Sequence, residues 1–292
     1  MAFLLTISPQ RFSTSKLEIS QKYPRANASR PAIGLPILFE RNVGQSDPRV
    51  RFLSHASGAT FFVTDDGAEL VFAPRSATHQ KRIPQRQKPS NLSALRMRLS
   101  GEMAESWTEA RWPLTTRVNY FIGHDPHRWH RNVPTFREVV QREVWRGIDV
   151  VYRGNRGELE CDFDVSPGAD LSQVRLEFDG ASSAFVATAG DLLLEVGRRQ
   201  VRSALPTVYT KDASGKRREL AARYVINSQG WGSGNPETLA GALEIRVSFD
   251  VAAYDKTQRL VIDPTLTYST YLGGTDTGPT FRATILVTAS TA

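Results

Sequence analysis

The sequence of 292 residues predicts an all-β fold, and three observations support this. Short runs of β-branched and aromatic residues recur about every 8 to 12 residues, and turn residues separate them. No helical periodicity persists for three turns. Apolar and polar residues alternate within many runs, which indicates antiparallel sheets with one face toward solvent. We therefore expect an antiparallel β-sandwich, and whether it consists of two packed sandwich subdomains stays open.

The first half of the chain contains clear strand and turn signals. Asp66-Gly67 lies between two apolar runs and predicts a tight hairpin. Asp125-Pro126 predicts a single helical turn, because Asp caps a helix N-terminus and Pro suits its first position. Strands are predicted at 50–53, 59–64, 68–73, 95–99, 118–122, 136–144 and 148–152.

The second half continues the pattern of short strands between turns. Leu159, Cys161, Phe163 and Val165 alternate with acidic residues, as in a strand with one buried face. Turn signals occur at Asp179-Gly180, Gly190-Asp191 and Ser214-Gly215. Further strands are predicted at 174–178, 192–196, 207–210, 222–226, 243–251 and 260–272.

Charge and composition exclude several classes of protein. The net charge is +7, and seven basic residues between positions 74 and 101, with no acid among them, equal this excess. In a polar, proline-containing stretch such a run is typical of a solvated loop, here Arg75 to Ser93, so no nucleic-acid partner is predicted. The single cysteine excludes an intrachain disulfide. No apolar run approaches the roughly 20 residues of a membrane helix, and no export signal is visible.

Several blocks of sequence resemble one known family. They are FERNVGQSDPRVRFLS (39–54), NYFIGHDPHRWHRNVPTF (119–136), WRGIDVVYRGNRGELECDFDVSPGADLSQVRLEFDGA (145–181), VSFDVAAYD (247–255) and LVIDPTLTYSTYLGG (260–274). In this order they resemble the N-terminal domain of bacterial SBBP-repeat (β-propeller repeat) proteins. The resemblance implies an all-β domain without assigned activity that precedes a propeller in a secreted or cell-surface protein. Residues 275–292 do not resemble a repeat, so we expect the propeller to be truncated at its first strand.

These observations predict the domain organisation. Residues 1–35 are polar and unpatterned and are expected to be disordered. Residues 36–265 form the β-sandwich domain, with a subdomain boundary expected near residue 167. Residues 266–292 are expected to be the remnant of the first propeller-repeat strand plus a tail. We expect either that the 260–272 segment adds to the sandwich edge or that the tail after Gly273 is disordered.

Two clusters are candidates for metal or ligand chemistry. His124, His127 and His130 have metal-like spacing, although an exposed turn near two arginines is the more ordinary interpretation. Glu158, Glu160, Asp162 and Asp164 share one strand face, which suits a calcium site or a glycosidase pair. We favour instead a solvated sheet face whose acids pair with cross-strand arginines, namely Arg137, Arg142, Arg153 or Arg175.

Two single residues complete the candidate sites. Cys161 alternates with apolar residues and is expected to be buried and unreactive. Trp231 lies in a Gly/Ser-rich loop and is a weak candidate for a ligand contact.

No nucleophile elbow, phosphate loop or dinucleotide fingerprint is present, so we predict no enzyme and no cofactor. The first hypothesis is a non-enzymatic structural, adhesive or interaction module of a bacterial surface or secreted protein. The alternative is a carbohydrate-binding or polysaccharide-hydrolysing β-sandwich domain. A surface polysaccharide or a protein is the expected partner, and the sequence does not decide between them.

Overall fold

The computed structural model describes residues 37–73, 93–227 and 245–270, except for residues 57, 102–104, 156–157 and 213. The predictions for residues 1–35, for all of the basic loop except Ser93, for Trp231 and for residues 271–292 lie outside the described residues. The described part contains strands and two short 3₁₀ turns and no α-helix.

The first nine strands include one long hairpin, β6–β7. They are β1 (Phe39–Arg41), β2 (Val50–Ala56), β3 (Ala59–Thr64), β4 (Gly67–Phe72), β5 (Ala94–Ser100), β6 (Trp107–Tyr120), β7 (His130–Trp145), β8 (Ile148–Asn155) and β9 (Glu158–Val165).

The ten later strands are shorter. They are β10 (Arg175–Asp179), β11 (Ser183–Val186), β12 (Leu192–Val196), β13 (Arg199–Ser203), β14 (Thr207–Lys211), β15 (Arg217–Leu220), β16 (Ala222–Asn227), β17 (Ile245–Val251), β18 (Arg259–Asp263) and β19 (Thr265–Thr270). The 3₁₀ turns are Pro126–Arg128 and Leu171–Gln173.

Two predicted turns are confirmed in detail. Asp125 caps the 3₁₀ turn that begins at Pro126, and its carboxylate accepts a hydrogen bond of 3.0 Å from the His127 backbone N–H. Gly67 follows the turn between β3 and β4 with φ +142°. A Cβ at that position would lie 2.2 Å from the Met97 carbonyl oxygen, so the tight pairing of β4 with β5 requires glycine.

The described strands pair antiparallel throughout, which confirms the predicted class. They form one connected sheet that is nearly closed into a barrel, so the division into two sandwich sheets stays a prediction. Two strands each pair with two partners along one edge. The first half of β7 pairs with β1 and its second half with β8. Likewise, β9 pairs with β18 near one end and with β19 near the other.

The position of β18 and β19 differs from the expected sandwich edge. β18 pairs with β9 on one side and β14 on the other, and β19 pairs with β9 and β13. Pro264 separates the two strands, and its carbonyl accepts a hydrogen bond from the Cys161 backbone N–H. This segment is therefore an interior element that closes the sheet. Its apolar residues Leu260 and Ile262 are fully buried, as an interior strand requires.

One large apolar core lies inside the curved sheet. Its largest fully buried side chains include Trp145, Tyr152, Phe39, Phe163 and Leu192. Residues on both sides of position 167 contribute to this cluster. Burial of these side chains is the main stabilising contribution, since each large apolar side chain contributes about 1.5 to 3 kcal/mol.

Candidate functional site

A cleft of about 350 Å³ opens beside the β6–β7 hairpin. It lies where the start of β6 meets the second half of β7, next to the turn that follows β9. Its walls are mostly polar. The lining residues are Trp107, Glu109, Arg142, Glu143, Asp149, Ser166, Pro167 and Arg259.

Arg142 is the centre of the charged groups in this cleft. Its Nε lies 2.8 Å from Glu109 Oε1, and its Nη1 lies 2.5 Å from Asp149 Oδ2. Glu109 also accepts a hydrogen bond of 3.1 Å from Arg111. Arg259, at the other wall, forms an ion pair with Asp164. The acidic and basic groups are therefore fixed in place by one another, and their charges largely cancel.

The backbone of β7 is distorted where it borders the cleft. Glu143 has φ +49°, a conformation that non-glycine residues rarely adopt. Its backbone N–H donates to Asp149 Oδ1 at 2.9 Å, and its carboxylate accepts from the Gly147 N–H at 2.8 Å. These bonds hold a bulge between Gln141 and Trp145. Bulges often orient side chains at functional sites.

Trp107 lies at the rim of the cleft and is 54% exposed. It is directly opposite Arg142 in the β6–β7 ladder, so the two side chains are on the same face of the sheet. Among the described strands, β6 pairs only with β7, and this leaves its outer edge open. The cleft thus combines an exposed indole ring with fixed hydrogen-bonding groups.

The acidic side chains of β9 lie further along the same face of the sheet. The prediction of a solvated face is wrong for Glu160 and Asp162, which are 8% and 2% exposed. β8 flanks this strand on one side and β18 and β19 flank it on the other, so both carboxylates lie in the interior of the sheet and not at an edge. Glu158 is exposed and Asp164 is half-buried.

The predicted pairing of these acids with cross-strand arginines is only partly correct. Arg153 pairs with Asp162, with Nη2 2.7 Å from Oδ2, as expected for a cross-strand arginine. Arg142 binds Glu109 and Asp149 instead. The partner of Asp164 is Arg259, which the sequence did not indicate because it lies 95 residues further along the chain.

Asp263 joins Glu160 and Asp162 in a group of three carboxylates. One oxygen from each lies within 4.8 Å of the others. Burial raises the pKa of Asp162, and the neighbouring Asp263 and Glu160 carboxylates raise it further, against the opposing effect of Arg153. The group forms because β9 and β18 are adjacent and place these side chains on the same outer face.

The three histidines of the turn before β7 are not brought together with the acids. His124 and His127 are exposed, and His130 is half-buried at the start of β7. Within the described residues, Glu160, Asp162 and Asp263 cluster closely enough to share a metal ion, and these histidines do not. Their turn carries instead an edge-to-face pair of Phe121 and Trp129, with ring centroids 5.3 Å apart.

A second polar cluster links β1, β2 and β6. The Tyr120 hydroxyl donates to Glu40, and His55 Nε2 lies 3.1 Å from the same hydroxyl. Burial raises the pKa of Glu40 to about 7, and burial lowers the pKa of His55 to about 4. The two side chains are thus neutral together over part of the acidic pH range. Glu40, His55 and Tyr120 are far apart in the sequence, so only the three-dimensional structure reveals this cluster.

Cys161 lies between Leu159 and Phe163 on the core face of β9, as predicted. The prediction of full burial is wrong, because Cys161 is half-buried where it packs against the apolar core. Burial raises the pKa of its thiol well above the ordinary value, so the thiol is protonated near neutral pH. This protonation state favours a packing role.

The sequence missed the cleft. Trp107 opens a strand that was predicted only from residue 118 onward, because charged residues and Pro113 interrupt its apolar pattern. The signal available was its spacing: Trp107, Glu109 and Arg111 alternate toward one face of an extended strand.

Comparison with known proteins gives one match. The family described as Domain of unknown function (DUF7948) matches residues 39–265. No curated protein and no solved structure matches the chain. None of the helical segments in the described residues is long and apolar enough to cross a membrane.

Proposed function

We propose a function from the residues of the cleft alone. The chain belongs to the DUF7948 family, and the description of that family assigns no activity from which to argue. The domain is a non-enzymatic carbohydrate-binding module, and the cleft beside Trp107 receives a neutral polysaccharide. The observation that carries this proposal is the exposed indole of Trp107 at the rim of a cleft with fixed polar groups.

The chemistry of the cleft suits a sugar. The flat apolar face of an indole packs against the C–H face of a pyranose ring, and its exposure here leaves that face accessible. Carboxylate and guanidinium groups accept and donate hydrogen bonds to hydroxyls. Since Arg142 and Arg111 together balance the charges of Glu109 and Asp149, the ligand needs no charge of its own. Fixed side chains also lower the entropy lost on binding.

The same ion pairs favour binding over hydrolysis. A glycosidase needs one carboxyl that is protonated in the resting site. Arg142 forms ion pairs with both Glu109 and Asp149, so neither carboxyl is held apart from a cation as the acid of a glycosidase pair would be. We therefore place this domain among binding modules. Its resemblance to the leader domain of SBBP-repeat proteins supports a role at the bacterial cell surface or outside the cell, as an adhesive or interaction module.

Binding to a panel of insoluble and soluble polysaccharides tests the proposal. We expect retention on at least one neutral polysaccharide, a loss of tenfold or more in Trp107→Ala, and no release of reducing sugar. Trp112→Ala is the matched control, because Trp112 is 67% exposed on the same strand and does not line the cleft. Trp231→Ala tests the loop tryptophan as an alternative contact. Binding lost in Trp231→Ala and kept in Trp107→Ala would place the site elsewhere, and absence of binding across the panel would reject the function.

A further inference from the structure

We propose that Glu160, Asp162 and Asp263 form a binding site for Ca²⁺. This site is distinct from the cleft, and it does not depend on the carbohydrate function. Carboxylate oxygens from all three residues lie within 4.8 Å of one another, a separation that one cation can bridge with oxygen contacts of about 2.3 to 2.6 Å.

An unpartnered buried oxygen points to a ligand at this position. Asp162 is 2% exposed, and its Oδ2 binds Arg153. Its Oδ1 is fully buried and has no hydrogen-bond partner among the described residues. The carboxyl of Asp263 lies within hydrogen-bonding reach of Asp162. Two carboxylates offer only acceptors to each other, so the contact is favourable only when a cation or a proton lies between them.

The charges of the surrounding side chains match a divalent cation. With all three carboxyls ionised, as in a metal-bound site, the group carries a formal −3 and Arg153 carries +1, which leaves −2. Arg153 is also shared, since its Nε lies 3.8 Å from Glu138 Oε2. A guanidinium that is divided between two acids neutralises the group only in part. A bound Ca²⁺ would complete the neutralisation.

The donor set selects the metal by its chemistry. The three side chains offer only oxygen, which hard cations prefer and Zn²⁺ in structural sites does not. Asn155 donates to Glu160 Oε1 at 2.7 Å and helps to fix that carboxylate beside the other two. Ca²⁺ tolerates several protein oxygens in irregular geometry, whereas Mg²⁺ usually keeps most of its waters. Water molecules would supply the remaining positions.

Thermal unfolding and isothermal titration of the intact chain with CaCl₂ test this site, with a chelator-treated sample as the reference. We expect one Ca²⁺ per chain, and a rise in Tm of about 5 to 10 °C at one hundred times Kd. Asp263→Asn should reduce the affinity at least tenfold. The matched control is Asp164→Asn, which lies on β9 two residues from Asp162 and loses its ion pair with Arg259 but should keep the full response to Ca²⁺.

A second measurement keeps the proposal testable if Asp263→Asn fails to fold. Tb³⁺ replaces Ca²⁺ in oxygen sites. Tyr209 is directly opposite Val261 on β18, so it lies on the same sheet face as Asp263, about 7 to 8 Å away, which is close enough to sensitise Tb³⁺ emission. We expect sensitised Tb³⁺ emission from the unmodified protein that Ca²⁺ displaces and that Tyr209→Phe weakens. Absence of any Ca²⁺ effect on Tm, on the heat of titration and on Tb³⁺ emission would overturn the proposal. The contact between the carboxyls of Asp162 and Asp263 would then be assigned to a shared proton. A response to Mg²⁺ alone would overturn the choice of Ca²⁺.

Discussion

The Tyr120 hydroxyl donates a hydrogen bond to the buried carboxyl of Glu40, and this bond joins the end of β6 to β1. His55 lies against the same hydroxyl and has Thr60 as its second partner, with Nδ1 3.2 Å from the Thr60 hydroxyl. Two groups that ordinarily carry opposite charges near neutral pH are thus held close together in a buried site.

The first prediction concerns the pH dependence of stability. The pKa of Glu40 rises from 4.5 to about 7 on folding, so its contribution favours folding at low pH and is lost between about pH 4.5 and 7. The pKa of His55 falls from 6.5 to about 4, so its contribution is present above pH 6.5 and is lost as pH falls toward 4. These opposite slopes should largely cancel in the unmodified protein.

Two variants separate these slopes in urea unfolding between pH 4.5 and 7. In Glu40→Gln the free energy of unfolding should rise with pH, because only His55 remains. In His55→Gln it should fall with pH. Each change is on the order of 2 kcal/mol across the range, from 1.36 kcal/mol per pKa unit reduced for partial solvent exposure. Parallel curves for both variants and the parent protein would contradict this assignment.

The second prediction concerns Gly67. Gly67→Ala should lower the free energy of unfolding by more than about 3 kcal/mol, because its new Cβ would meet the Met97 carbonyl at 2.2 Å in a backbone conformation unsuited to alanine. Gly215→Ala is the control. Gly215 also has a positive φ, +81°, but a Cβ there meets nothing within 4 Å. Its loss should be only about 1 kcal/mol. Equal losses would show that the contact with β5 is unimportant.

The third prediction concerns the buried hydrogen bond between Tyr152 and Gln141. The Tyr152 hydroxyl donates to Gln141 Oε1 at 2.7 Å, and the Gln141 amide donates to the Thr64 carbonyl at 2.8 Å. Tyr152→Phe leaves a buried acceptor unpaired and should reduce stability by about 1 to 3 kcal/mol in chemical denaturation. Tyr254→Phe is the control, because Tyr254 is only partly buried and its hydroxyl has no hydrogen bond to a described residue. It should change stability by less than about 0.5 kcal/mol.

The fourth prediction concerns Cys161. Burial raises the pKa of its thiol, so a thiol reagent at pH 7 should modify the folded protein at least tenfold more slowly than the protein in denaturant. Cys161→Ala should reduce stability by about 1 to 3 kcal/mol through lost packing. Rapid labelling of the folded protein would show that this residue is on the accessible face of β9.

Local patterns predicted the strand class and the tight turns, because short-range chemistry determines them. Asp125-Pro126 and Asp66-Gly67 are examples in which adjacent residues specify a turn. The acidic residues of β9 show the limit of this approach. Their alternation predicted a common face, but their burial depends on Arg153 and on β18, which lies about a hundred residues further along the chain. Asp263 was missed for the same reason, since its neighbours Glu160 and Asp162 lie on a distant strand. Trp107 was missed because charged residues and Pro113 interrupt the local pattern of β6.

The pairing of β9 with β18 has a consequence for folding kinetics. Asp164 and Arg259 are 95 residues apart, and contacts over such separations form only after a long loop has closed. We expect the carboxylates of Asp162 and Asp263 to meet late, after the folding transition state. A cation held between them would then leave the refolding rate unchanged and slow the unfolding rate. Stopped-flow measurements of folding and unfolding with and without Ca²⁺ would reveal this asymmetry. The metal would then stabilise the closed sheet kinetically and determine how long the domain stays folded.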